Sequence, residues 1–294
     1  MTVTYEDVTG AARRIAGHAL RTPVLEVSPG LYLKLEQLQH AGSFKVRGAF
    51  NRILSAGELP PAGVIAASGG NHGLAVAHAA RALGVRAEIF VPEVTSPVKV
   101  AGLRALGAQI RQTGAIYAAA AEAAAKRAAE TGALAVHAYD QPEVIAGQGT
   151  LGLELTEQAP GIDTILVAVG GGGLVSGVAV GSGAVRSGGA SRSGTPRPRI
   201  VAVEPELCPT LHEALRAGEP VQVPVSGVAA DALGASRIGE LAYGICSRAV
   251  AEGTLASVLV PDEAVVAARR ALWERHRVVA EHAGAAAYAA LLSG

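Results

Sequence analysis

The sequence has few aromatic residues, few cysteines and no excess of either charge. Phe, Trp and Tyr make up 3% of the 294 residues, and Lys plus Arg equals Asp plus Glu at 25 each. This balance argues against the electrostatic attraction by which proteins bind nucleic acid or anionic membranes. The two cysteines, Cys208 and Cys246, form no CxxC motif, which is typical of a reducing compartment. We therefore expect a cytoplasmic protein with no nucleic-acid or membrane partner.

The sequence also lacks a long uninterrupted apolar segment, although 50% of its residues are hydrophobic. The most apolar helical stretch, Ala115–Ala129, is interrupted by Glu122, Lys126 and Arg127, which give it a polar face. The first residues have neither a basic start nor an apolar core, so no secretion signal is visible. The remaining composition is that of a metabolic enzyme with a sizeable core.

Short β-type runs alternate with alanine-rich helical patterns along the chain. The predicted strands are Leu31–Leu35, Val64–Ala67, Ala87–Val91, Gln109–Gln112, Ile165–Val169, Ile200–Glu204 and Ala256–Val260. The predicted helices are Phe44–Leu54, His72–Leu83, Pro97–Leu106, Ile116–Thr131, Ile145–Gln158, Leu174–Val185, Pro209–Ala217 and Pro261–Glu274. This alternation predicts an α/β fold with parallel sheets and helices on both faces, where ligands bind at the carboxyl ends of strands. The stretch Arg186–Pro198 is predicted to be a mobile surface loop.

Four consecutive glycines, Gly170 to Gly173, follow a buried-strand pattern and precede a helical one. Glycine lets backbone N–H groups approach an anion, and a helix N-terminus adds partial positive charge, so a phosphate site is one interpretation. A purely structural turn is the other. No Asp or Glu lies between Leu174 and Val203, which excludes the usual ribose ligand of a dinucleotide fold. No Lys-Ser or Lys-Thr closes a P-loop either, so a small phosphorylated cofactor fits better.

Lys45 begins a helical pattern between Phe44 and Val46, two residues before Arg47. A lysine in such a position is most often a solvated charge. In an apolar and cationic setting, however, its ammonium form is disfavoured and its amine becomes a usable nucleophile or base. Such a lysine beside a phosphate site indicates pyridoxal phosphate, bound as a Schiff base.

Several segments in this order resemble the serine/threonine dehydratase branch of fold-type II pyridoxal-phosphate enzymes, which includes serine racemases. Val46 and His72 favour that branch over the sulfhydrylases, which typically have Asp and Thr at these positions. The segments that carry the resemblance are Arg21–Val24, Leu33–Glu36, Gly42–Ala49, Ser68–Gly73, Ile145–Glu154, Val169–Gly177 and Glu281–Ala285. The resemblance implies two open twisted, largely parallel sheets in a large domain (1–52 plus 146–294) and a small domain (53–145), in the tryptophan synthase β-like fold.

The resemblance also implies a role for individual residues. Lys45 would hold the cofactor as a Schiff base and then take the Cα proton of the substrate. The other cofactor contacts would be Phe44 against the pyridine ring, Asn71 at its 3-hydroxyl, Gly234 in a facing loop, and the backbone of Gly170, Gly171, Gly172, Gly173 and Leu174 around the phosphate. The substrate carboxylate would be bound by Ser68 and by backbone N–H groups of Gly69, Gly70, Asn71 and His72; the His72 side chain receives no catalytic role.

The reaction that the resemblance implies is α,β-elimination from L-threonine or L-serine, which yields a 2-oxo acid and ammonia. Serine racemases of the family have a second serine where this chain has Gly69, so we expect little or no racemisation. Relatives bind a divalent cation through a Glu-Pro acid, a backbone carbonyl and a further acid. Glu204 and the Cys208 carbonyl match the first two, but Thr210 replaces the acid, so we expect a weak or monovalent site or none.

Relatives continue beyond the Glu281–Ala285 segment into a strand whose Ser, Thr or Cys meets the pyridine nitrogen. Here only Ala286 to Gly294 follow, and Ser293 lies before the expected strand. Three alternatives to a threonine/serine dehydratase stay open: a 3-hydroxyaspartate dehydratase, a β-replacement enzyme, and a C-terminally truncated form that binds cofactor but is inactive. A homodimer acting on a small amino acid is implied by the resemblance alone.

Overall fold

The computed structural model describes residues 2–185 and 197–293. The strands in these ranges are β1 Val24–Ser28, β2 Leu31–Lys34, β3 Val64–Ala67, β4 Ala87–Val91, β5 Gln109–Gln112, β6 Leu134–Ala135, β7 Thr164–Ala168, β8 Arg199–Pro205 and β9 Leu255–Val260. The α-helices are α1 Tyr5–Ile15, α2 Lys45–Leu54, α3 Asn71–Ala82, α4 Pro97–Ala105, α5 Tyr117–Thr131, α6 Pro142–Gln158, α7 Gly173–Gly181, α8 Thr210–Ala217, α9 Ala230–Leu233, α10 Glu240–Ala251, α11 Asp262–His276 and α12 His282–Leu292.

Four strands form one parallel sheet in the order β5-β4-β3-β6. The central strand β3 has the sequence Val-Ile-Ala-Ala, and its first three residues are buried because α3 and α5 contact it. Parallel strands covered on both faces are expected to be apolar throughout, as this one is. The strand ends at Ala67, so Ser68 emerges at the carboxyl edge of the sheet.

A second parallel sheet has the order β7-β8-β9. Alternate residues of β7 lie in different hydrophobic clusters. Ile165 and Val167 belong to the cluster that includes residues of α7 and α10, whereas Leu166 and Ala168 pack against the cluster of α11 and α12. Helices therefore cover both faces, which confirms the predicted α/β class of two parallel sheets flanked by helices. The antiparallel pair β1-β2 is a small additional sheet.

Helix α6 lies unusually close to α7 because glycines occupy the contact. A Cβ atom added at Gly181 would lie 2.0 Å from the carbonyl oxygen of Gly149, and one added at Gly177 would lie 2.7 Å from the nitrogen of Gly149. No side chain fits at that distance. The glycine spacing of the Ile145–Glu154 segment thus has a packing reason, and it fixes the position of α7, which begins at the four-glycine turn.

Strands β3, β4 and β5 begin and end where the sequence predicts. Two predicted helices were wrong at one end: that over 174–185 ends at Gly181, and that over 145–158 begins at Pro142. The sequence prediction missed β1, β6, α1, α9, α10 and α12. Helix α1 had a readable signal, because Thr4 and Asp7 form a capping box at its start.

Most of the predicted loop 186–198 lies outside the described residues. Within the described ranges, no helix is both long and apolar enough to cross a membrane. The boundaries of the two predicted domains, at 52/53 and 145/146, stay a prediction.

Candidate active site

The segments singled out in the sequence lie close together. Ser68 and Gly170 both follow the carboxyl ends of parallel strands, β3 and β7 respectively. Helix α9 joins the two regions: a Cβ at Gly170 would lie 3.0 Å from the Cα of Leu233, and one at Gly70 would lie 4.0 Å from the carbonyl oxygen of Asp231. Gly234, which ends α9, is therefore next to the glycine turn, as the resemblance implies.

Lys45 is the first residue of α2, and its side chain is partly buried. Its Nζ donates a hydrogen bond to the carbonyl oxygen of Ala138 at 2.7 Å and lies 5.3 Å from the centre of the Phe44 ring. Burial lowers the pKa of Lys45 from its ordinary value of 10.5 to about 8, since no carboxylate compensates for the loss of water. The amine is therefore neutral in a far larger fraction of molecules than a surface lysine is.

Arg47, two residues further along α2, holds the start of this helix in place. Its guanidinium is 1% exposed and binds two carboxylates, Glu36 at 2.8 Å and Glu154 at 2.6 Å. Lys34 makes a further ion pair with Glu154 at 2.5 Å, and the Thr22 hydroxyl donates to Glu36. Burial lowers the pKa of Arg47, but the hydrogen bonds with the two carboxylates outweigh burial and raise it. Two cations and two anions balance, which is the condition for a stable buried ion network.

The four-glycine turn connects β7 to α7. Gly172 has a φ of +88°, a conformation that favours glycine. In the described part of the chain, the N–H groups of residues 171 to 174 have no hydrogen-bond partner. These are the unpaired donors of a helix N-terminus, which attract a phosphate.

The side chain of Tyr139 packs against the outside of this turn. A Cβ at Gly171 would lie 2.3 Å from Cγ of Tyr139, and one at Gly173 would lie 2.8 Å from its carbonyl oxygen. The neighbouring Asp140 accepts hydrogen bonds from the backbone nitrogens of Glu240 and Leu241, at 3.0 and 3.1 Å, at the start of α10. The segment Ala138–Asp140 thus joins Lys45, the glycine turn and α10. Sequence reasoning missed it, because its contacts are distant in the chain and it has no motif.

The loop from Ser68 to His72 lies at the N-terminus of α3. The Ser68 hydroxyl accepts a hydrogen bond from the N–H of Gly70 at 3.1 Å, while the N–H groups of Gly69, Asn71 and His72 have no partner among the described residues. These donors can bind a carboxylate. Asn71 donates from Nδ2 to Oε1 of Glu281 at 2.8 Å.

The ring of His72 is directed away from this loop and into the protein. Its Nε2 lies 2.9 Å from the carbonyl oxygen of Val136, and the residue is 5% exposed. Burial, with a further contribution from the charge of Lys45, lowers the pKa of His72 to about 3. The ring is therefore neutral at physiological pH and donates to the carbonyl, which gives it a packing role.

Glu204 is fully buried at the end of β8. Its two carboxylate oxygens accept hydrogen bonds from the backbone nitrogens of Leu211 and His212, at 2.6 and 2.8 Å, and burial raises its pKa to about 8. Thr210 donates its hydroxyl to the carbonyl of Ala235, and Cys208 is buried beside Ser226. The described residues contain no group of three or more His, Cys, Asp or Glu side chains arranged to hold a metal ion. Glu204 binds the N-terminus of α8.

Comparison with known proteins agrees with this arrangement. The model of the family "pyridoxal-phosphate dependent enzyme" matches residues 15–294. The chain is 38% identical over 299 residues to an L-threonine ammonia-lyase of Thermotoga maritima, covering 99% of this chain and 71% of that protein. It is 42% identical over 264 residues to an L-threonine ammonia-lyase of Geobacter sulfurreducens, covering 90% and 62%. The chain thus spans less than two thirds of the length of the second relative.

Solved structures show the same similarity. The maize serine racemase superimposes with a TM-score of 0.88 at 32% identity, covering 99% of this chain and 87% of that one. A threonine deaminase of the organism abbreviated T.th. gives 0.86 at 36% identity, covering 99% and 92%. A lysine amine of lowered pKa, set near a glycine turn with unpaired N–H groups, is what such enzymes need to hold their cofactor. This chain belongs to the family of pyridoxal-phosphate dependent enzymes.

Proposed function

We propose that this chain is an ammonia-lyase that converts L-threonine, L-serine or both to a 2-oxo acid and ammonia by α,β-elimination. The observation that carries the proposal is the Lys45 amine, whose pKa is lowered to about 8 at a site that also contains two helix N-termini. The names of the two relatives, both L-threonine ammonia-lyases, support the same activity.

The residues present fit pyridoxal phosphate. The unpaired N–H groups of residues 171 to 174 would hold the phosphate, Phe44 would pack on the ring, and Asn71 would bind its hydroxyl. The packing of Tyr139 and Leu233 around the turn leaves no space for side chains there, so the backbone itself faces an anion. When bound, the cofactor supplies the electron sink that stabilises a carbanion at the substrate Cα.

Lys45 is proposed as the base that removes the Cα proton. With a pKa of about 8, roughly a tenth of its amine is neutral at pH 7, against less than a thousandth for an ordinary lysine. The Ala138 carbonyl orients the amine by accepting a hydrogen bond. The N–H groups at the start of α3, with Ser68, would hold the substrate carboxylate and so fix which Cα bond faces Lys45.

Gly69 makes elimination, without racemisation, the proposed outcome. A racemase needs a second proton-transfer group on the face of Cα opposite the lysine, and glycine has no side chain to supply one. A Cβ at Gly69 would lie 2.9 Å from Cγ2 of Thr95, so the loop is packed for a glycine. Appreciable D-serine formed from L-serine by the wild-type protein would contradict this part of the proposal.

The test is the visible absorption spectrum of the protein reconstituted with pyridoxal phosphate, followed while L-threonine, L-serine or 3-hydroxyaspartate is added. The proposal predicts a cofactor band that changes with threonine or serine while 2-oxo acid accumulates, and no such band in Lys45→Ala. A response to 3-hydroxyaspartate alone, diversion of the reaction by an added thiol, or a band that no substrate changes would instead indicate one of the three alternative activities.

We further propose a cytoplasmic homodimer whose partner is a small amino-acid substrate. Balanced charge supports the absence of a nucleic-acid or membrane partner. A cation at Glu204 and the Cys208 carbonyl stays a prediction, and the hydrogen bonds that Glu204 accepts favour a weak site or none.

A further inference from the structure

One hydrogen bond joins the N-terminal ends of two helices that are far apart in the chain. Asn71, the first residue of α3, donates from Nδ2 to Oε1 of Glu281, the residue before α12, at 2.8 Å and across 210 positions. We propose that Glu281 is a positioning residue that fixes the orientation of the Asn71 amide toward the cofactor. This inference rests on the proposed function, in which Asn71 binds the ring hydroxyl.

The chemistry of the pair determines which way the amide lies. An ionised carboxylate only accepts hydrogen bonds, so it selects the NH2 group of Asn71 and excludes the carbonyl oxygen. An asparagine amide has nearly the same shape after a 180° flip, and without such a partner both orientations are accessible. Elsewhere in the described chain, the Asn71 side chain has no hydrogen-bond partner, so Glu281 alone makes this choice.

Glu281 is not needed to begin its own helix. It occupies the N-cap position of α12, but its side chain makes no capping hydrogen bond. Its carboxylate lies in the field of Asp231, Lys99 and His282 as well as of Asn71. Burial raises its pKa, and the Asn71 hydrogen bond opposes that rise. The carboxylate is thus set aside from helix capping and free to hold the amide.

An amide held in this way keeps its second N–H available as a donor. A charge-assisted bond on one N–H also strengthens the donor character of the other, because hydrogen bonds in a chain polarise one another. The consequence is specific to the oxygen that Asn71 binds, so it should appear in cofactor affinity and in the absorption of the bound cofactor. A merely structural contact would change stability instead.

The experiment is a double-mutant cycle on the full chain, read by pyridoxal-phosphate titration, absorption maximum and thermal melting. The variants are Glu281→Gln, Glu281→Ala, Asn71→Ala and the two Glu281 changes combined with Asn71→Ala. Glu274→Gln is the matched control, since Glu274 is an exposed carboxylate on α11 that does not contact the site. The Gln variant keeps the shape of the side chain but can pair with the amide either way round.

We expect Glu281→Ala to weaken cofactor binding by about tenfold and Glu281→Gln by about threefold, as for loss of a charge-assisted hydrogen bond. Both should shift the absorption maximum, while the melting temperature and the Glu274→Gln variant stay as in the wild type. In the Asn71→Ala background, neither change at 281 should have any further effect, because the amide through which Glu281 acts is gone.

Three results would overturn the inference while leaving the proposed function intact. The first is unchanged affinity and absorption in both single variants at 281. The second is full additivity with Asn71→Ala, and the third is an effect confined to the melting temperature. Failure of the wild-type protein to bind pyridoxal phosphate would overturn the proposed function itself, and this inference with it.

Discussion

The ring of Tyr139 lies directly against the backbone of Gly171, so that a Cβ at that glycine would come within 2.3 Å of Cγ and Cδ1 of the tyrosine. The residue before Tyr139 accepts the hydrogen bond of Lys45. The catalytic amine and the phosphate-binding turn are therefore connected through two adjacent residues, 138 and 139. Any change that moves this segment should alter both parts of the site together.

Gly171→Ala should lower both stability and cofactor affinity. The new methyl group must displace the Tyr139 ring, and overpacking of this kind costs about 1–3 kcal/mol. Urea denaturation and pyridoxal-phosphate titration measure the two effects. Gly244→Ala is the matched control, because nothing lies within 4 Å of a Cβ there and the site is exposed within α10. That control should gain about 0.5–1 kcal/mol from helix propensity. Equal stability of the two variants would contradict the packing argument.

The lowered pKa of Lys45 predicts how fast the apoprotein captures an aldehyde at different pH values. Only the neutral amine reacts, so the rate of pyridoxal-phosphate capture should rise with pH and level off above a midpoint near 8. A surface lysine would show no levelling below about pH 10. Stopped-flow absorbance measures the rate, and Lys45→Ala shows which fraction belongs to this residue. A midpoint near that of a surface lysine would mean that the amine is not desolvated.

The same pKa predicts a pH-dependent difference in stability. In the unfolded chain the lysine pKa is about 10.4, whereas in the folded protein it is about 8. Between these values the unfolded state binds more protons, so this group makes the folded protein more stable as the pH rises from about 8 to about 10.4. Below the folded-state pKa, the full cost of burying the charge is present.

Lys45→Met removes that cost, so it should be more stable than the wild-type apoprotein at about pH 7, with a difference that shrinks as the pH approaches the unfolded-state pKa. Urea denaturation at a series of pH values provides the measurement. Other titrating groups, such as Cys246, cancel because both proteins contain them. A constant difference across the range would contradict the assignment of the shift to Lys45.

Local sequence patterns predicted the parts of the site that depend on neighbouring residues. Lys45 and the turn from Gly170 to Gly173 were found because each lies where an element begins or ends. Tyr139 and Glu281 received no role, because their contacts span the sheet edges and a single sequence does not record which loops meet there. Helix α12 was missed because its mostly alanine and leucine sequence has no clear polar face, since it is buried against three strands.

Magnesium should not stabilise this protein through Glu204. Both carboxylate oxygens are occupied by N–H groups of α8, and a cation would have to displace them. Thermal melting with and without millimolar Mg²⁺ should give the same midpoint. Glu204→Gln should lose about 1–3 kcal/mol, because the NH2 group of glutamine would face a backbone N–H. A clear Mg²⁺ shift in the wild type that disappears in Glu204→Gln would contradict this prediction and establish the cation site.

The ion network below Lys45 should be far more sensitive to a single change than a surface ion pair is. Arg47→Met leaves Glu36 and Glu154 with only Lys34 to balance them, and breaking a buried pair in this way costs about 3–5 kcal/mol. Urea denaturation of the apoprotein provides the measurement. The matched control is Arg21→Gln, which breaks the exposed pair with Glu157, whose side chains are 52% and 48% exposed. Such surface pairs contribute about 0–1 kcal/mol.

Arg47→Lys separates charge from geometry in the same network. A lysine ammonium keeps the positive charge but lacks the planar fork that binds both carboxylates at once. Its loss of stability should therefore lie between those of Arg21→Gln and Arg47→Met. Because α2 carries both residues, cofactor affinity should fall with the stability of the network, even though Arg47 does not contact the cofactor. If Arg47→Met and Arg21→Gln were equally stable, the network could not be what holds Lys45 in place.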